Sequence, residues 1–289
     1  MSDPVDLLVR AYLALTAGFL ALGLFHPPAG HSTAELTLRI LWHLAVIWLI
    51  PRLGGGLVRL YPFFLLIPMY SELEIQNRIL SGVYYDATVL AWETRLFGAS
   101  PAAWLSQVLP YRLLSEWLHL CYLLYYLLLP LLTLRLRQLG RPGAAEQATF
   151  TGLATLYSCY LVAVFFPVQG PRPLWPALEP ACQGFFWHMC HRLVDHGAVD
   201  GAAFPSSHVA WSTAAALAAW RARSGLTGLY LFIALSIAFA TVYARFHYLV
   251  DVPAGWAVAL GWALVGPGLY ERLAGNAQAR QTSSRESDP

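Results

Sequence analysis

Lysine is absent from this 289-residue chain, and charge of either sign is scarce: 18 arginines stand against 16 acidic residues, and 12% of the residues are charged. An ordinary soluble domain carries about a quarter, so a typical soluble enzyme is excluded. The formal net charge is +2 and no basic block occurs, which excludes nucleic acid as a partner. Cysteine is sparse as well, with four in the chain, too few for a secreted disulfide scaffold of this length. No internal repeat and no separate soluble domain is visible. The missing lysine also constrains the chemistry. Any phosphate site here must rely on arginine, histidine and backbone N–H groups.

What the chain has instead is apolar surface. Hydrophobic residues make up 57% and aromatics 14%, with a mean hydropathy of +0.51, as in a multi-spanning membrane protein. Eight apolar stretches stand out, at 5–25, 36–53, 57–70, 111–134, 149–168, 208–224, 226–246 and 249–270. Most approach the ~20 residues that cross a bilayer. The third is short and broken by Pro62 and Pro68. The expected fold is an all-α polytopic helix bundle of six to eight spans. The organisation expected is N-terminal spans and an outer amphipathic segment over 1–110, a helix core over 111–272, and a disordered tail over 273–289, where the composition turns polar. The first stretch follows Asp3 and Asp6 rather than a basic flank, so it reads as an uncleaved span. Arginines cluster in the 135–147 and 221–224 loops, and the positive-inside rule puts those loops and both termini in the cytoplasm. Segments 169–207 and 245–251 then share the outer face.

Those two segments hold the candidate chemistry. Pro167-Val-Gln-Gly-Pro-Arg-Pro173 ends the fifth stretch, and the prolines flanking Arg172 restrict the backbone that aims its guanidinium. Phe204-Pro-Ser-Ser-His208 opens the sixth. Ser206 and Ser207 precede a long Ala-rich run, as at a helix start, where free N–H groups suit a phosphate; Ser206 equally suits a plain N-cap. His208 falls within that first turn. Tyr243-Ala-Arg-Phe-His-Tyr-Leu-Val-Asp251 bridges the last two stretches. His247 and Asp251 are four apart, hence on one helical face. A carboxylate there accepts a hydrogen bond from Nδ1–H and leaves Nε2 to attack; a structural ion pair is the plainer reading. Ionisable groups at a membrane boundary cost several kcal/mol unless paired or functional, which favours function.

The ordered set Arg-Pro, Pro-Ser-x-His, His-x-x-x-Asp resembles the type 2 phosphatidic acid phosphatase superfamily, which includes the vanadium haloperoxidases. Upstream, Asp86–Gly98 (DATVLAWETRLFG), Ser115–Pro130 (SEWLHLCYLLYYLLLP) and Thr241–Asp251 are similar to its inositol phosphorylceramide synthase-like branch. The resemblance implies the superfamily's catalytic helix core and a lipid phosphotransferase that needs no metal or cofactor. By it, His247 is the nucleophile, Asp251 orients it, and His208 is the general acid and base. Arg172, Arg245, Ser206 and Ser207 bind phosphate. The partners implied are a phospholipid donor and a lipid or hydroxyl acceptor. With water as acceptor, the same residues make a lipid phosphate or polyprenyl pyrophosphate phosphatase. A lipid transporter is the rival of a different class.

The chain departs from the superfamily pattern at three points. Phe165 stands where a Lys is usual, seven residues before the Arg of Arg-Pro. Ser207 replaces the Gly of Pro-Ser-Gly-His. Thr241 stands where an Arg is usual, six before the His. Arg245 is two residues before His247, about 200° away on a regular helix, so either the turn is irregular or Arg245 does not bind phosphate. Among the remaining residues, Cys182, His188, Cys190, His191 and His196 crowd one loop. Their spacing matches no standard zinc pattern; a Cys182–Cys190 disulfide or an interfacial amphipathic helix with Phe185, Phe186, Trp187 and Met189 in lipid are the other readings. Glu116 and His119, three apart on one face, are read first as a structural hydrogen-bond pair and second as donor or acceptor recognition. Asp86, Glu93 and Arg95 are read as support for the site entrance or a solvated helix face, and Tyr122, Tyr125 and Tyr126 as groove lining.

Overall fold

A computed structural model describes residues 3–53 and 59–286, with side chains through Asn276. The first two positions of the third apolar stretch, 57 and 58, and the last three of the tail, 287–289, lie outside the described residues. The described chain is helical, with one isolated parallel bridge, Val168 to Ala202. The helices are α1 (Pro4–Gly23), α2 (Thr33–Leu49), α3 (Tyr61–Ser71), α4 (Leu73–Leu80), α5 (Asp86–Phe97), α6 (Pro101–Val108), α7 (Arg112–Gln138), α8 (Pro142–Phe165), α9 (Phe185–Gly197), α10 (Ser207–Arg221), α11 (Thr227–Tyr243) and α12 (Asp251–Glu286). The helical backbone of α12 runs on into the segment whose composition reads as a disordered tail.

Their ends carry the usual signals. Pro4 opens α1, and Asp3 accepts from the Val5 N–H at 2.9 Å. Ser32 caps α2 through the Glu35 N–H at 3.1 Å, and Pro142 opens α8. Each satisfies or removes an N–H that a helix start leaves unpaired. Among the described residues five helices are long and apolar enough to cross a membrane: Pro4–Gly23, Thr33–Arg52, Arg112–Gln138, Pro142–Phe165 and Asp251–Asn276. The remaining apolar stretches form shorter helices. α10 has 15 residues and α11 has 17, and the third stretch falls in α3, whose 11 residues end at Ser71.

The core centres on α8. In its most apolar window 78% of residues are buried, against 17% for α2, so α8 is the inner helix and α2 lies at the rim. α8 packs against α7, α10 and α12, and α1 and α4 cover its remaining side. α10 also packs on α7, α11 and α12. This leaves three connecting segments gathered at one end: the α8–α9 loop, the run from Ala198 into α10, and the α11–α12 turn. They contain the Arg172, His208 and His247 motifs.

Candidate active site

The α11–α12 turn is not a helix. After Tyr243 the chain turns back, so that the N–H groups of Phe246 and His247 both donate to the Thr241 carbonyl at 3.0 Å. Arg245 takes a left-handed φ of 62°. His247 is 4% exposed. Its Nδ1 lies 2.8 Å from the Ala203 carbonyl and 3.2 Å from Asp251 Oδ2. Both partners are acceptors, so Nδ1 carries the proton that joins the ring to them, and Nε2 is the nitrogen left free of both. Asp251 Oδ2 also accepts the Tyr248 N–H at 2.9 Å. The carboxylate thus fixes the histidine and the turn that presents it, while its Oδ1 is buried without a partner among the described residues.

His208 sits opposite, in the first turn of α10. Ser206 Oγ caps this helix by accepting the Val209 N–H at 3.3 Å, and the Ser206 N–H donates to the Asp251 carbonyl at 3.1 Å. The starts of α10 and α12 are therefore tied together. Gly255 permits this approach, since a Cβ there would stand 2.6 Å from the Ser206 carbonyl oxygen. The His208 ring stacks on Tyr122 at 4.2 Å and 20°, has Tyr125 at 4.2 Å on a tilted ring, and lies 5.7 Å from the His247 ring. Both His208 nitrogens are buried and neither has a hydrogen-bond partner among the described residues. An unpaired buried polar group costs ~1–3 kcal/mol, a cost that a hydroxyl or phosphate oxygen placed between the two histidines offsets.

Arg172 reaches the rim of the same cavity and pairs with Asp195 of α9. The cavity measures about 140 Å3, and its polar lining includes Gln169, Arg172, Ser207, His208 and His247. Gly170 brings the first motif against the third. Its φ is +94°, and a Cβ would lie 2.8 Å from the Phe246 carbonyl oxygen, so both conformation and space require glycine.

Two of the proposed phosphate ligands are not on this lining. Arg245 is 4% exposed, and its guanidinium turns the other way. Nε donates to the Ala102 carbonyl at 3.2 Å, Nη2 to Ser106 Oγ at 3.0 Å, and Nη1 to the Pro176 carbonyl. The irregular turn separates Arg245 from His247, and Arg245 ties α6 and the α8–α9 loop to it. Ser206 is fully buried, and its hydroxyl serves as the N-cap. The positions of the departures fit this picture. Phe165 is 56% exposed at the end of α8 and meets Phe19 edge-on, away from the cavity. Thr241 is buried, and its carbonyl holds the turn.

Other expectations are corrected too. Glu116 and His119 do not pair. Glu116 accepts the Phe186 and Trp187 N–H groups, each at 3.0 Å, and so caps α9 from α7. His119 Nδ1 donates to the Ser115 carbonyl at 2.7 Å. Cys182 and Cys190 carry free thiols, fully buried beside Tyr122 and Tyr243. α9 is amphipathic, but Trp187 packs inward, whereas Phe185 is 69% exposed. Its His191 stacks on Trp187 at 3.9 Å. Burial, together with the nearby His119, Arg172 and His188, pushes the His191 pKa down to about 4.

Asp86 and Glu93 have a larger part than the sequence suggested. Asp86 accepts the Gln169 and Gly170 N–H groups at 2.9 Å each and the Tyr248 hydroxyl at 3.3 Å. Glu93 is fully buried and accepts the Val250 N–H at 3.3 Å, the Leu249 N–H and the Ser100 hydroxyl. Burial raises its pKa and those three bonds oppose the rise. Together the two carboxylates clamp the Arg172 loop and the His247 turn to α5. Their spacing of seven, which puts both on one helix face, was the available signal.

The PAP2 superfamily profile matches residues 87–265, more than half of the chain and all three motifs. No curated protein and no solved structure matches significantly. The chain belongs to the PAP2 superfamily and is an enzyme of the phosphatase and phosphotransferase type.

Proposed function

We propose that this PAP2-superfamily enzyme is an integral-membrane lipid phosphotransferase that carries a phosphoryl-headgroup on His247, in the manner of the inositol phosphorylceramide synthase-like branch. The observation that carries this reading is the His247 ring. Its Nδ1 proton is held by Ala203 and Asp251, it lines the cavity, and the unpartnered His208 faces it at 5.7 Å. In the first step His247 Nε2 forms a bond to phosphorus as the bond to the donor's lipid oxygen breaks. His208, as imidazolium, gives that oxygen its proton. In the second step the acceptor hydroxyl loses its proton to neutral His208 and attacks phosphorus, and the N–P bond breaks. Asp251 offsets the positive charge on His247 in the intermediate. Arg172, Ser207 and the N–H groups at the start of α10 hold the phosphate oxygens as charge develops.

A diester is favoured over a monoester on charge. Arg172 is the one arginine on the cavity lining among the described residues, and neither Phe165 nor Thr241 supplies a second cation. A diester carries one negative charge where a monoester carries up to two. The reading includes six to eight spans, with the site on the outer face and the C-terminus in the cytoplasm. The test uses purified protein in detergent with phosphatidylinositol plus ceramide, and separately with phosphatidic acid, in the presence of a chelator. Transfer to ceramide that disappears in His247→Ala is expected. Release of inorganic phosphate from phosphatidic acid alone moves the enzyme to the phosphatase class. Full turnover by His247→Ala overturns the mechanism.

A further inference from the structure

α1, α2 and α4 precede the residues matched by the family profile. They enclose a cluster of polar side chains that the mechanism does not use. Glu72, at the start of α4, is 3% exposed, and His43 of α2, Thr16 of α1 and Gln76 of α4 are fully buried. Ionisable groups buried in an apolar bundle are costly unless paired or functional. The pairing here is incomplete without an added proton.

His43 Nδ1 lies 2.8 Å from the Arg39 carbonyl, which only accepts, so Nδ1 carries a proton. Nε2 lies 3.2 Å from Glu72 Oε2 and 3.1 Å from Thr16 Oγ. The Thr16 hydroxyl donates back to the Tyr12 and Leu13 carbonyls at 3.0 and 3.2 Å, so its oxygen is left as an acceptor. A bare Nε2 would therefore turn its lone pair on a carboxylate oxygen. A second proton removes the conflict. It sits on Nε2, as an imidazolium facing the carboxylate, or on Glu72, which then donates to Nε2. Both forms hold one proton more than a neutral imidazole beside a carboxylate. Gln76 Nε2 donates to Glu72 Oε2 at 3.5 Å, and Arg39 lies 3.6 Å from Oε1. Arg39 also bonds Glu35, which takes His31 at 3.0 Å, and this half-buried chain gives the site a polar path out of the bundle. Tyr12, stacked on Tyr157 of α8, is the other titratable neighbour. Among the described residues no further charged group pairs with Glu72.

The cluster is joined to the catalytic loops through α4. Asn77, next to Gln76, donates from Nδ2 to the Asp200 carbonyl at 2.8 Å. The Gly201 carbonyl accepts the Val168 N–H at 3.2 Å, and the Ala203 N–H donates to the Val168 carbonyl at 2.9 Å. The Ala203 carbonyl in turn holds His247 Nδ1 at 2.8 Å. A Cβ on Gly201 would stand 2.3 Å from Asn77 Nδ2, so this run lies directly on α4. Loss of the shared proton sets His43 Nε2 against Glu72 Oε2 and parts α4 from α2. The 200–203 run then loses the surface that supports it.

We infer that His43 and Glu72 bind one exchangeable proton between them, and that this proton latches α4 to α2 and so steadies the 200–203 run that orients His247. The proton site is separate from the phosphate cavity, and the inference holds whichever acceptor that cavity serves. Raising the pH removes the proton, so the latch opens toward alkaline pH. Hydrogen exchange of the full-length protein in detergent reads it between about pH 5 and about pH 9, a range that covers imidazole and buried carboxyl titration. Rates are corrected for the intrinsic pH dependence of exchange. In wild type, segments 73–80, 198–203 and 244–249 are expected to exchange at least about tenfold faster at the alkaline end, the effect of one lost hydrogen bond to a charged group. Glu72→Gln gives Nε2 a donor that does not titrate, and His43→Phe removes the lone pair. Each should keep all three segments protected across the range. Wild-type protection that does not change with pH overturns the proton site, as does a loss of protection in both variants that matches wild type. Loosening of 73–80 with 198–203 and 244–249 unchanged overturns the latch on His247.

Discussion

His247 and Arg245 stand two residues apart and do opposite work. One presents a free ring nitrogen to a cavity, and the other spends its donors on carbonyls and Ser106 behind the turn. Arg245→Ala strips those acceptors of a charged donor, so a loss of at least about 2 kcal/mol is expected. Denaturant unfolding measures it; a variant as stable as wild type but weaker for the donor lipid would return Arg245 to phosphate binding. Asp251 acts at the same scale. In Asp251→Asn the acceptor oxygen can stay on His247 Nδ1 and the Tyr248 N–H, while the amide fills the position of the unpartnered Oδ1. What is lost is the negative charge opposite the phosphorylated imidazole. A fall of about 10²–10⁴ in kcat is expected, with folding retained by circular dichroism. A change under threefold would reduce Asp251 to a turn-former.

At the scale of elements, α5 decides whether the site assembles. Its two carboxylates hold segments 83 and 156 residues away through backbone N–H groups, and such partners leave no mark in a sequence. The His-x-x-x-Asp pair was legible because its members are close in sequence, although His247 lies in the turn before α12 and not on the helical face that a spacing of four suggested. The start of α10 was legible because its Ser206 cap is local. Arg245 and Glu116 were not, because their direction depends on a turn and on a helix packed from elsewhere. Asp86→Asn tests the clamp. One of the two N–H groups at Gln169 and Gly170 then faces an amide donor in place of an acceptor, at a cost of ~1–3 kcal/mol. kcat is expected to drop about tenfold with KM little changed, as the Arg172 loop loosens relative to His247. Asp86→Glu should fail to restore it, because the longer side chain displaces both bonds; a kcat within twofold of wild type for Asp86→Asn would show that the loop holds its place without α5.

The whole molecule is a bundle built for an apolar surround, with its polar chemistry gathered at one end. The composition announced this class, because a chain 57% hydrophobic cannot cover that surface with its own polar residues. It did not reveal that α10 and α11, the helices flanking the site, are among the shorter ones. α9 lies across that polar end, and its attachment makes the stability of the assembly depend on pH. His191 is folded against Trp187 and His119, and its pKa there is pushed down to about 4 from the ordinary imidazole value of 6.5. Between those values the unfolded chain binds a proton that the folded chain refuses, so stability rises with pH across the window. The contribution is fully present above about pH 6.5 and is lost as the pH falls toward 4. Thermal unfolding of wild type and His191→Phe at intervals from pH 7 to pH 4.5 reads this directly. Phenylalanine keeps the stacking on Trp187 and removes the titration, so the variant should lose less stability over that range than wild type. Parallel curves would mean that His191 is protonated in the folded protein without strain, and that α9 is held by its Glu116 cap and apolar face alone.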